Sequence, residues 1–346
     1  MSDASTLEPR VSVVMATYNG EKFLLEQLES IAAQTLAPLE VIIRDDGSSD
    51  DTLEIARRFA SRSRCPVLVR ESQGQRLGYA ENFAKAASAA RGDLVAFSDQ
   101  DDIWHPAKLA TAARVFSRSD VVLAVHRSYV VDETGAMTGR RFPAGKWSGT
   151  FGLDLPLDVF PGFSMVVRSR LLRAADYRQV SGPTGSRSAN LSHDTWVWSV
   201  APCLGSTVVL PDLLAWYRQH DAATVGERHR TFAERANYGD ASRFREAARH
   251  NRHIACCLRE MEAVWALTDG TAAERAEQMA TARSELATVL AGRARIYEGE
   301  SRIQGARTWF AMVSSGGYGR AIRRPSQGAL VALKDLTKVA LGDRSA

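Results

Sequence analysis

The sequence predicts an α/β fold: a mostly parallel, Rossmann-like sheet flanked by helices, with a helical C-terminal extension. Two observations carry this. Short β-branched apolar runs alternate with amphipathic stretches through the first half of the chain. That rhythm belongs to βαβ crossovers, which build a parallel sheet covered on both faces. From Thr231 to Tyr297 the composition turns to Ala, Arg, Glu and Leu, which favours long helices.

The elements follow in order. Val11–Ala16 is an apolar run typical of a buried parallel strand. Glu21–Gln34 repeats apolar residues at Phe23, Leu24, Leu28 and Ile31, a helical stripe. Leu39–Arg44 is the second strand, and Asp50–Ala60 a helix with Asp50 as its expected N-cap. Val67–Arg70, Tyr79–Ala90, Asp93–Ser98 and Pro106–Phe116 continue the alternation, the last with proline in its first turn. After Val121–Val125 the rhythm loosens. Residues 132–160 and 181–189 are Gly- and Pro-bearing and read as loops. Ser164–Val167 reads as a strand, Thr195–Val200 as a helix and Thr207–Leu210 as extended. Gln327–Leu341 sets Leu330, Val331, Leu333, Leu336 and Val339 against Lys334 and Lys338, a basic amphipathic helix. The expected division is a catalytic-type domain at 1–228 and a helical, basic extension at 229–346.

Composition narrows the class. With 346 residues, 45% hydrophobic and 24% charged, the chain is globular rather than disordered. No apolar run reaches the ~18–20 residues of a membrane span. Residues 1–10 are polar and lack a signal-peptide core, which predicts a cytoplasmic protein. Cys65, Cys203, Cys256 and Cys257 have no paired metal spacing and read as free thiols. A net charge of +4 is too mild to imply nucleic acid. Residues 301–346, however, hold eight basic and two acidic side chains, a tail suited to an anionic surface.

Ligands of open parallel sheets sit at the carboxyl ends of the strands. Three of these ends are polar: Ala16-Thr17-Tyr18-Asn19-Gly20, Asp45-Asp46-Gly47-Ser48-Ser49-Asp50 and Asp99-Gln100-Asp101-Asp102. Adjacent carboxylates raise each other's pKa unless a cation holds them. Oxygen ligands of this kind suit Mg²⁺ or Mn²⁺ with substrate phosphates completing the shell. Taken singly, the first Asp pair also fits a turn and helix cap, and Asp99–Asp102 a solvated loop. Neither a Gly-x-Gly-x-x-Gly nor a Gly-x-x-x-x-Gly-Lys-Ser/Thr motif is present.

Val11-Ser-Val-Val-Met-Ala-Thr-Tyr-Asn19, Asp45-Asp-Gly-Ser-Ser-Asp50 with Thr52, Gly78-Tyr-Ala-Glu-Asn82-Phe and Phe97-Ser-Asp-Gln-Asp-Asp-Ile-Trp-His-Pro106 together resemble a family 2 glycosyltransferase of GT-A fold over residues 10–225. The Asp-Gln-Asp-Asp-Ile-Trp wording, with Trp216-Tyr-Arg-Gln-His220, is similar to the rhamnosyltransferase-like branch. The resemblance implies that Thr17 and Tyr18 line the base and ribose. It also implies that Asp46 accepts from the base with Asp45 beside it, and that Asn82 lies near the base. Asp101 matches the metal position, with Asp99 as its partner at the metal or on the ribose or the metal's water. Asp194, in Ser192-His193-Asp194-Thr195-Trp196, matches the catalytic base, although relatives often carry Glu where His193 stands. By residue type alone Asp194 also fits a helix N-cap. Ala16 stands where relatives often have proline.

Arg218 and His220 match the stretch where relatives carry residues that touch the diphosphate or close the site, and Arg presents a fork suited to phosphate. Trp104 can stack on a sugar or simply pack. The expected reaction is a single inverting displacement. Asp194 takes the acceptor hydroxyl's proton while the metal at Asp101 stabilises the leaving diphosphate. The expected donor is deoxythymidine-diphosphate rhamnose, then a uridine-diphosphate sugar. The acceptor is a glycan or lipid-linked glycan of cell-surface polysaccharide synthesis. Trp309-Phe310, Tyr318, Arg323-Arg324 and the basic helix either lie on the inner membrane face or belong to a helix that packs back on the body or serves dimerisation. Two other readings stand beside this one: a phosphatase-like hydrolase with Asp99 as nucleophile, and a sugar-nucleotide binder without turnover.

Overall fold

The computed structural model describes residues 8–72, 74, 76–145, 147–155, 160–176, 191–220, 241–298, 301–314, 331–336 and 338–339. The expected loop at 181–189 and residues 318, 323 and 324 of the tail lie outside them. Two compact units form. One holds 1–152, 160–176 and 191–228, and the other 153–159, 177–190 and 229–346.

The first unit is built on a ten-stranded mixed sheet. Its elements are β1 Val11–Thr17, α1 Leu24–Ala32, β2 Glu40–Asp45, α2 Thr52–Arg62, β3 Val67–Glu71, α3 Tyr79–Ser88, β4 Leu94–Ser98, β5 Ile103–Trp104, α4 Lys108–Arg114, β6 Val121–Val131, β7 Met137–Phe142, β8 Gly149–Phe151, β9 Met165–Arg168, α5 Ser169–Ala174, α6 His193–Leu204 and β10 Ser206–Arg218. The main path runs β3-β2-β1-β4-β9-β6-β10-β5, with β7 on β6 and β8 on β10. The first four strands are parallel. β9 then runs antiparallel to both β4 and β6. The parallel strands are apolar on both faces because helices cover both. Val13, Met15, Val41, Ile43, Leu94 and Ala96 share one core with Leu24, Leu28 and Ile31 of α1.

Several boundaries differ from expectation for physical reasons. Residues 132–160, read as loop, contain β7 and β8. Both are exposed or half-buried and have no apolar alternation to reveal them. β6 continues six residues beyond Val125 because the polar side chains of His126, Arg127 and Ser128 are themselves buried. The N-cap position of α2 is Asp51, not Asp50. Asp50 still serves the helix start, since its carboxylate accepts from the Thr52 N–H (3.1 Å) and the Thr52 hydroxyl.

The second unit is helical. α7 Ala241–Trp265 and α8 Gly270–Tyr297 are joined at Asp269, whose carboxylate caps α8 by accepting from the Ala272 N–H (3.0 Å). α9 Arg302–Ser314 packs against α8 where Gly292 makes room: a Cβ there would lie 2.5 Å from the Met312 sulfur. Arg293 and Asp335 form a buried two-pronged ion pair, Nε–Oδ2 2.8 Å and Nη2–Oδ1 3.1 Å. Of the basic helix expected at 327–341, residues 331–336 and 338–339 are described and are helical. No helix among the described residues is long and apolar enough to cross a membrane.

Candidate active site

The site grows from the carboxyl ends of β1, β2 and β4, which lie side by side. Tyr18 N–H donates to Gln100 Oε1 (2.9 Å) and Gln100 Nε2 returns a bond to the Tyr18 carbonyl (3.0 Å). This clamp explains Gly20, where a Cβ would stand 2.4 Å from the Gln100 amide oxygen. The Tyr18 ring is partly open to solvent and carries the Arg76 guanidinium 3.6 Å above its centroid. Arg76 escaped the sequence reading because a lone Arg in a polar loop gives no signal.

The first acidic loop is fully engaged. Asp45 accepts from the Thr17 hydroxyl (2.9 Å), Gly47 N–H (2.9 Å), Ser48 N–H (2.8 Å) and the Ser48 hydroxyl. Thr17 and Asp45 are buried, so both shape the loop, and direct substrate contact is not their role in this geometry. Asp46 is also buried and accepts from Leu77 N–H (2.7 Å) and Gly78 N–H (2.8 Å). One bond per oxygen leaves acceptor capacity on each. Asn82, at the buried side of α3, has its Nδ2 without a hydrogen-bond partner among the described residues.

The second acidic loop is the opposite. Burial and then the Asp101 and Asp194 carboxylates push Asp99 up to about 8, against the pull of Lys108. Burial, Asp101 and Asp99 raise Asp102 well above the carboxylate range, and its Oδ2 is buried without a partner. Its other oxygen accepts the Arg218 N–H (3.1 Å). Asp101 Oδ2 lies 2.9 Å from His220 Nε2, both side chains mostly buried. The four carboxylates of Asp99, Asp101, Asp102 and Asp194 therefore share one electrostatic neighbourhood. Tyr79 belongs to it, since burial and then Asp194 and Asp99 raise its phenol.

Beneath them lies Lys108, which sequence reading missed. Its ammonium donates to the Phe163 carbonyl (2.7 Å) and sits 3.3 Å over the Trp104 ring. Burial drives its pKa down, while Asp102 and Asp99 hold it up. The available signal was a lysine on the apolar face of α4, one turn from Ala112.

Two expected contacts are corrected here. Trp104 is 1% exposed and packed under Lys108, so it cannot stack on a sugar. Arg218 is 3% exposed and its fork is spent inside the protein. Nε donates to the Asp101 carbonyl (3.1 Å), Nη1 to the Glu133 carbonyl (2.9 Å) and Nη2 to Glu26 (2.5 Å). It braces the acidic loop rather than reaching for a diphosphate.

Asp194 stands in the first turn of α6, whose N-cap is Ser192. Its Oδ1 accepts from the Thr195 N–H (2.7 Å) and the Ser192 hydroxyl. The capping role is thus real, and it aligns the carboxylate that faces Asp99. The neighbouring His193 is buried and held neutral chiefly by desolvation. Its ring packs on Phe83 (4.0 Å) and Phe97 (4.9 Å), and a Cβ on Gly162 would lie 2.2 Å from its Nε2. This wedge fixes α6 against α3 and β4.

No group of three or more His, Cys, Asp or Glu among the described residues forms a ready-made metal cage. The pair that does form, Asp101 with His220, offers one oxygen and one nitrogen. In this structure the two share a hydrogen bond of 2.9 Å, and their oxygen and nitrogen are donors of the kind that a divalent ion binds.

Comparisons with known proteins agree with this architecture. Residues 12–177 match the family model described as Glycosyl transferase family 2. A dTDP-rhamnosyl transferase of Shigella flexneri, RfbG, is 38% identical over 61% of this chain and 73% of its own length. Of other curated relatives it matches, the chain spans 28% to 66% of their length, 38% and 63% for the first two. Among solved structures, S. aureus TarS with UDP-GlcNAc superposes with TM-score 0.55 at 17% identity, over 97% of this chain and 93% of that one. The Pyrobaculum calidifontis mannosyltransferase PcManGT, with GDP-Man and Mn²⁺, superposes with TM-score 0.51 at 17% identity, over 98% and 89%. These likenesses show a GT-A-type fold. With its motifs, its sheet and the RfbG alignment in agreement, the chain belongs to glycosyl transferase family 2.

Proposed function

We propose that the protein transfers a sugar from a nucleotide-diphosphate donor to a hydroxyl of a glycan or lipid-linked acceptor, with inversion and with a divalent metal. One observation carries the reading: burial with the neighbouring Asp101 and Asp194 carboxylates pushes Asp99 up, and burial with Asp101 and Asp99 pushes Asp102 up, so acidic groups from β4 and α6 share one site. Buried carboxylates raised in this way mark a site for a cation and a substrate.

Asp101 and His220 would hold Mg²⁺ or Mn²⁺, which when bound neutralises charge on the donor diphosphate and its leaving form. Tyr18, Arg76, Asp46 and Asn82 would bind the nucleoside end. Asp99 would meet the ribose or a metal-bound water. Asp194 would accept the proton of the acceptor hydroxyl as it attacks the anomeric carbon. The bond to the diphosphate oxygen breaks as the new glycosidic bond forms, so one base suffices. Lys108 and Arg218 hold the acidic loop in place from below. The Asp-x-Asp element follows β4, whereas a phosphoryl-accepting Asp-x-Asp belongs on the first strand of its fold, which disfavours the phosphatase-like reading.

The RfbG likeness puts dTDP-rhamnose first among donors, and TarS and PcManGT put UDP and GDP sugars next. The test is a thermal-shift screen of these three donor types with Mn²⁺, followed by transfer assays. A donor that raises the melting temperature and is consumed only with acceptor supports the reading. Binding without transfer to any glycan acceptor supports the binder instead.

A further inference from the structure

We propose that the outer face of α9 docks on an anionic lipid bilayer. α9 uses one side to pack: Gly305 faces Val339, Met312 faces Gly292, and Trp309 Nε1 donates to the Ala332 carbonyl (2.7 Å). Its other side leaves Ile303 69%, Phe310 66% and Val313 40% exposed. Ile303 and Phe310 are seven residues apart, two turns along one face, with the exposed Arg307 between them. An apolar row with a cation set into it matches the boundary between headgroups and acyl chains.

The charge of the surrounding chain selects the partner. From Ser301 to Lys334 there are six Lys or Arg residues and no Asp or Glu. A second copy of this chain seated on the same face would set Arg307 near its own symmetry mate. An anionic surface gains from the same charges, by a factor of about five per cation near it. The inference is independent of the sugar-transfer reading, since it concerns a different unit and needs no turnover.

The experiment is co-sedimentation of the full chain with vesicles of phosphatidylcholine alone or with 30% phosphatidylglycerol. Strong binding to the anionic vesicles alone, weakened by 0.5 M NaCl, is expected. Ile303→Ser with Phe310→Ser should lower it by more than about tenfold, and Arg307→Gln by about fivefold. Circular-dichroism melts of each variant report folding, and Arg307→Gln with the salt series keeps the test open should the double variant unfold. No binding to anionic vesicles, equal binding to both compositions, or unchanged binding by both variants overturns the proposal. So does a concentration-dependent dimer in light scattering that these substitutions abolish.

Discussion

The two acidic loops of the first unit have similar sequences and opposite physics. In Asp45–Asp50 each aspartate is occupied by the fold. Asp45 takes four donors and Asp46 two backbone N–H groups. For Asp50 burial pushes upward, but bonds from Thr52 and Glu21 outweigh it and hold the carboxyl below its ordinary range. In Asp99–Asp102 the carboxylates face one another, and burial with mutual repulsion pushes Asp99 and Asp102 upward. The first loop is already bonded to its own scaffold. The second is held in an arrangement that only an added cation or proton relieves, which is the mark of a binding site.

The largest effect should appear in activity, at the second acidic loop and at the α6 carboxylate that shares its site. Asp194→Asn is expected to lower turnover by about 10²–10⁴-fold, the usual worth of a positioned base, with donor binding retained in calorimetry. Asp101→Ala is expected to remove the Mn²⁺-dependent part of donor binding. Near-normal turnover in Asp194→Asn would return that residue to helix capping alone. Stability should separate the loops in the other direction. Asp45→Ala strands four donors and is expected to cost about 3 kcal/mol in urea unfolding. Asp99→Asn removes a repelled carboxylate and is expected to leave the metal-free protein as stable or more so. If the two substitutions destabilise equally, the second loop is scaffold too.

The placement of Asp194 depends on the packing of α6 as well as on its capping hydrogen bonds, which gives a subtler probe. Gly162→Ala puts a methyl 2.2 Å from His193 Nε2 and must displace the wedge between Phe83 and Phe97. Overpacking of this kind costs about 1–3 kcal/mol. Turnover should fall more than donor affinity, because Asp194 moves with α6 while Tyr18 and Asp46 do not. In a His193→Ser background the same alanine should be nearly silent. An equal loss in both backgrounds would mean that the imidazole is not what Gly162 accommodates.

What could be read beforehand follows the same division. The alternation of strands and helices, the three polar strand ends and the position of Asp194 at a helix start were legible because each is written locally, as an apolar run, a turn signal or a motif. Lys108, Arg218 and His193 were not. Each is a polar residue whose burial is fixed by partners from distant stretches: Phe163 and Asp102 for Lys108, Glu26 and Glu133 for Arg218, Phe83 and Gly162 for His193. Arg218 is the instructive case. Its residue type suits phosphate, but the fold spends each arm of the fork internally, Nε on the Asp101 carbonyl, Nη1 on the Glu133 carbonyl and Nη2 on Glu26. β7 and β8 escaped for a related reason, since exposed edge strands carry no alternation.

The smallest effect is the slope of stability with pH in metal-free protein. Asp99 is raised from an ordinary value of 3.8 to about 8. Between those values the folded chain keeps a proton that the unfolded chain releases. The stabilisation from this group is therefore complete below 3.8 and is lost as pH rises through about 8. Asp102 acts in the same direction, while Asp50 and Glu40, both held low, lose their contribution only in acid. With EDTA present, the melting temperature should decline from pH 6 to pH 8.5, and Asp99→Asn should flatten that decline. Mn²⁺ competes with the same proton, so the rise in melting temperature it causes should grow over the same interval. A Mn²⁺ response that is constant with pH, or a decline that survives Asp99→Asn combined with Asp102→Asn, would show that the contrast of the second acidic loop with the first has no ligand behind it.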